Sequence, residues 1–79
     1  MDKKAFDALL FLKVQSIISL LMQRKALSFK EALHYLYSSE LYRLLEKEET
    51  KVWHYNPVML LDLVEREKET HHLTLPDYV

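Results

Sequence analysis

A chain of 79 residues with no glycine must make every turn without the one residue that enters left-handed backbone at no steric cost. That excludes hairpins built on Asn-Gly and every glycine loop that cradles a phosphate. Helices joined by turns capped with Ser, Asn and Pro remain. Hydrophobic residues make up 49% of the chain, too many for a wholly disordered segment, and the length fits one small domain. There is no cysteine, so neither a disulfide framework nor a thiolate zinc site can support the fold. Ordering costs roughly 1.5 kcal/mol per residue, so a domain this small needs thorough helix packing or a partner subunit. Self-association is expected.

The apolar spacing predicts four helices. From Asp2 to Lys25, Phe6, Leu10, Phe11, Val14, Ile17, Ile18 and Leu21 share one side, with Leu9, Leu20 and Met22 widening it. Such a stripe is wider than a surface helix needs, so this helix is either enclosed on two sides or met by a second subunit. Leu12 falls within the polar strip of Gln15, Ser16, Ser19 and Gln23 and is expected to be exposed. Ser28-Phe29-Lys30-Glu31 is a capping box that starts a helix over 29–37, with Phe29, Ala32, Leu33 and Leu36 as its core stripe. Ser39 can cap a third helix over 40–47, followed by an acidic connection. Asn56-Pro57 opens a fourth helix to about Glu69, by the preference for Asn at the cap and Pro at the first helical position. The expectation is one all-α four-helix domain over 1–69, with 70–79 an extended or disordered tail.

No constellation for catalysis stands out. The serines are either caps or on a polar helix face, and the carboxylates Glu46, Glu48 and Glu49 lie in no apolar cleft. The four histidines lack metal-ligand spacing, and His71-His72 are adjacent, so their side chains diverge. We therefore expect no enzyme activity, metal, cofactor or small-molecule ligand. Basic side chains predominate in residues 1–30 (six against two acidic) and acidic ones in 31–79 (ten against five). Arg24 and Lys25 fall where a helix C-terminus favours cations. The apolar run after Lys3-Lys4 stops at Lys13, too short for a secretory core or a membrane span, so a soluble cytoplasmic protein is expected.

The alternative to a protein-binding role is a helix-turn-helix DNA-binding regulator. Its recognition helix would carry Glu40 and Glu46, and the pI of about 6.4 lacks a basic footprint. The aromatic group between the second and fourth helices supports two readings. Phe29 and Trp53 can seal the core with tyrosines at its edge, or Tyr42, Trp53 and Tyr55 can form a partner-binding surface together with the exposed Leu12.

The segments Phe11-Leu12-Lys13-Val14 and Ser28-Phe29-Lys30-Glu31-Ala32-Leu33 resemble those of small bacterial all-helical proteins of unassigned activity. So do Tyr37-Ser38-Ser39-Glu40-Leu41-Tyr42-Arg43-Leu44-Leu45, Glu49-Thr50-Lys51-Val52-Trp53-His54-Tyr55-Asn56-Pro57 and Leu61-Asp62-Leu63. The resemblance covers about residues 8–69. Asn56 stands where many such proteins have Ser, and either residue caps a helix. Some of those proteins are encoded beside toxin-like genes related to ADP-ribosyltransferases. The resemblance thus implies an antitoxin-like or accessory protein acting by contact with another protein.

Overall fold

A computed structural model describes residues 2–73, which form α1 (Lys3–Lys25), α2 (Phe29–Tyr37), α3 (Glu40–Leu45) and α4 (Pro57–Thr70). Two 3-10 turns, Glu48–Thr50 and Val52–His54, connect α3 to α4. The fold is all-α with four helices, as expected. Thr70 closes α4, and the rest of the expected tail from 74 onward lies outside the described residues.

Side chains that also appear in the sequence pattern start each helix. Asp2 accepts from the Ala5 amide (2.9 Å), Ser39 from Tyr42 (3.1 Å) and Asn56 from Met59 (2.9 Å). At α2 both halves of the capping box are made. Ser28 Oγ accepts from Glu31 N (3.2 Å), and the Glu31 carboxylate accepts from Ser28 N (2.9 Å). That amide, and then the Ser28 hydroxyl, holds the Glu31 carboxyl below its usual 4.5. Three reversals use left-handed backbone on residues other than glycine: Ala26 (φ 54), Lys51 (φ 57) and His71 (φ 62). Each costs about 1 kcal/mol.

The core takes Phe6, Ile17, Ile18 and Leu21 from α1, Ala32 and Leu36 from α2, and Leu41 and Leu45 from α3. From α4 come Leu60, Leu61, Leu63 and Val64. α1 packs chiefly on α4 and secondarily on α2, while α3 closes the opposite end against α4 and α2. Polar groups lock these contacts at their edges. Arg24 reaches Asp62 (3.2 Å) and Glu65 (2.9 Å), and Lys13 Nζ donates to the Tyr55 carbonyl (2.8 Å). Glu67 of α4 accepts from the first amides of α3, Glu40 N (2.7 Å) and Leu41 N (3.1 Å), so one helix caps the next.

Three expectations need correction. α3 ends at Leu45 rather than Lys47, because Thr50 Oγ1 donates back to the Leu44 and Lys47 carbonyls (2.6 and 2.8 Å) and winds the acidic connection into a turn. Phe29 is not a core residue: it sits at the first position of α2 and is 59% exposed. And α1 is, by length and composition, apolar enough to cross a membrane, and 22% of its most apolar stretch is buried within the fold. The run after Lys13 has no charge until Arg24, so the short run before Lys13 understated the apolar character of the whole helix.

Two outcomes follow from the caps. Ala26→Gly removes the steric cost of the left-handed turn, partly offset by a freer unfolded chain. Stability is expected to rise by about 0.5–1 kcal/mol, read as a higher midpoint in thermal unfolding. Because the folded-state pKa of Glu31 is depressed, its stabilisation is complete above about pH 4.5 and is lost as pH falls through the lower folded value. Glu31→Gln keeps an acceptor but cannot titrate there, so unfolding midpoints measured between pH 6 and 3 should fall less steeply than in the wild type.

Candidate functional site

One of the two sequence readings puts Tyr42, Trp53, Tyr55 and Leu12 at a partner surface; the structure gathers Trp53 and Tyr55 in the core with Tyr42 packed against it, and leaves Leu12 exposed. Trp53 is 8% and Tyr55 9% exposed, so both rings belong to the core. The cause is local. Trp53 Nε1 donates to the Glu48 carbonyl (2.9 Å), which satisfies the indole inside the fold, and its ring stands edge-on to Phe6 at 5.5 Å and 81°. Such a contact adds about 0.5–1.5 kcal/mol beyond burial. Of the two readings of the aromatic group, Trp53 sealing the core is the one observed, and Phe29 has no part in it. Tyr42 is half-buried and stacks on Tyr37, with ring centroids 4.6 Å apart. Burial, then Glu46 and Tyr37, pushes its phenol above the usual value. Leu12 is exposed on the outer side of α1, as the polar strip around it suggests.

What the structure assembles instead is an apolar groove between α1 and α2. One wall carries Phe11, Val14, Ile18 and Met22, and the other carries Phe29, Leu33 and Tyr37. The second wall follows a single i, i+4, i+8 row, so its three side chains stand one above another along α2. Gln15 and Ser19 complete a lining with no charged group around about 330 Å³. Phe11 (60% exposed), Phe29 and Tyr37 present large apolar surfaces to solvent, an arrangement that marks interaction sites more often than chance exposure does. A second, more open depression of about 670 Å³ lies between α1 and the start of α4, with Asn56 and Asp62 in its lining. Asp62 is already engaged by Arg24.

The groove exists because of how the α1–α2 connection is built. Left-handed Ala26 and the Ser28 cap reverse the chain within three residues, and half-buried Leu27 anchors the turn on the core. α2 is therefore held beside α1 with only Ala32 and Leu36 fully inward. Sequence periodicity identifies these residues as apolar but assigns Phe11, Met22 and Phe29 to the core. The available signal was the excess width of the α1 stripe, which exceeds what one neighbouring helix can cover.

Among the described residues no three His, Asp or Glu side chains converge where they could hold a metal ion. α3, six residues long, exposes Glu40 and Arg43, which lie 3.9 Å apart. No family model matches the chain, and neither curated proteins nor solved structures include a significant match.

The burial difference is measurable. Trp53→Ala should destabilise by about 3–5 kcal/mol in urea unfolding, as for large-to-small changes in cores. Phe29→Ala should cost under about 1 kcal/mol, because its ring is already mostly in water.

Proposed function

We propose that this chain is a non-enzymatic, cytoplasmic protein-association domain that receives an amphipathic helix of another protein in the α1/α2 groove. The groove itself carries this reading: an uncharged apolar trough with three exposed aromatic rings on its walls. Grooves of this kind take partner helices through apolar anchors at i, i+3/i+4 and i+7. Tyrosine and phenylalanine suit such anchoring, since they supply much contact area with few rotatable bonds. The resemblance to small proteins encoded beside toxin-like genes agrees with an antitoxin-like or accessory role for the partnership.

Affinity capture of the tagged chain in its native cell, beside a Phe29→Glu variant, tests this. One protein recovered stoichiometrically by the wild type and at least tenfold less by the variant is the expected outcome. Equal recovery by both would remove the groove from the function. Recovery of nucleic acid, with retention falling steeply as salt rises, would establish the DNA-binding alternative.

A further inference from the structure

The exposed side of α1 carries a pattern that the core does not account for and that runs past the groove it partly lines. Ala8, Leu12, Gln15, Ser19 and Met22 are all exposed, at spacings of four, three, four and three residues. That is the 3.5-residue period by which two helices stay in register along a shared seam. Between Ala8 and Gln23 the helix holds one charge, Lys13, and its Nζ is committed to the Tyr55 carbonyl. Arg24 and Lys25, past the end of the seam, are drawn onto Asp62 and Glu65 of α4. A chain with 29% charged residues thus leaves this face of α1 without any between Ala8 and Met22.

The seam is also symmetric about position 17. Reversed on itself, it sets Leu12 opposite Met22, Gln15 opposite Ser19, and Ala8 opposite the exposed Ala26 cap. We propose that a second copy of this chain occupies this face, with the two α1 helices antiparallel and a two-fold axis passing beside Ile17. A two-fold interface lays the same patch against itself, so a charged patch would meet its own sign; this face avoids that. The apolar pairs flank a polar centre in which the Gln15 amide of each copy reaches the Ser19 hydroxyl of the other. A buried polar pair of this sort selects one register and orientation.

The seam is short. From Ala8 to Met22 it spans about 21 Å at about 1.5 Å per residue, and a strip of that length and about 20 Å wide has a projected area of about 420 Å², the scale of a weak, concentration-dependent pair. A standard interface takes about 800 Å² from each partner, roughly 15% of the 5385 Å² surface of this chain. The seam shares Gln15, Ser19 and Met22 with the lining of the α1/α2 groove, whereas Leu12 belongs to the seam alone and Phe29 to the groove alone, so substitutions at those two positions separate the assignments.

Light scattering and sedimentation of the full chain should give about twice 9.5 kDa at tens of micromolar. Leu12→Glu, at a site 59% exposed in the single chain, should keep the helical circular dichroism and raise the dimer dissociation constant at least a hundredfold. Phe29→Glu, on the groove wall, should leave the dimer intact. Because the chain has no cysteine, Gln15→Cys and Ser19→Cys proteins can be mixed and oxidised. Mixed disulfides should then form in preference to either homodisulfide. A wild type that stays at 9.5 kDa to several hundred micromolar would overturn the proposal. So would homodisulfides in excess, which report a parallel pair, or a dimer broken by Phe29→Glu and not by Leu12→Glu.

Discussion

The contact between α1 and α4 governs this fold. Ile17 and Leu21 of one helix, and Leu60, Leu61 and Val64 of the other, are removed from water almost completely. At about 1.5–3 kcal/mol per fully buried aliphatic side chain, this contact stabilises more than any other pairing available to a chain of this size. The Arg24 contacts with Asp62 and Glu65 add little energy, because these groups are partly exposed and water screens them. Their effect is on register: they fix which turn of α4 lies beside the end of α1. Lys13 does the same at the other end by binding the Tyr55 carbonyl, which sets where α4 begins. α2 and α3 then fill the space that remains, and Glu67 joins α4 to α3 by capping it.

Absence of glycine shapes the rest. Three residues with side chains accept left-handed backbone at the end of α1, between the 3-10 turns and at the end of α4. At each point a neighbouring contact offsets the strain. Leu27 packs just after Ala26, buried Val52 follows Lys51, and the His71 amide donates to the Glu67 carbonyl at 2.8 Å. The reversals are therefore kept by tertiary packing, and the helices they join cannot swing apart without exposing core.

Helix positions and caps were legible in the sequence because their causes are local. Asp2, Ser28, Ser39 and Asn56 act within three residues of themselves, and periodicity over a turn or two identifies α1, α2 and α4. The fate of individual aromatics was not legible, for the opposite reason. Trp53 is inside because Thr50 bonds back to Leu44 and the indole finds the Glu48 carbonyl, a turn geometry that no hydrophobic pattern encodes. Phe29 is outside because it heads the row of Leu33 and Tyr37 that walls the groove, while Ala32 and Leu36 are the α2 residues that reach the core. The groove required both facts together, so composition could suggest an interaction surface but not locate it.

A 23-residue helix in a 79-residue chain presents more perimeter than three shorter helices can cover. α2 has nine residues and α3 six, so once they and α4 are in place a long strip of α1 still faces water. Ordinary surface helices fill such a strip with Lys and Glu at i, i+4. Here the charges sit instead on α3, the turns and α4, while α1 between Lys13 and Arg24 carries only apolar and small polar side chains. Replacing them with charged residues would have no steric obstacle at these exposed positions and would favour solubility. Gln15, Ser16 and Ser19 keep the strip wettable without making it repel another helix.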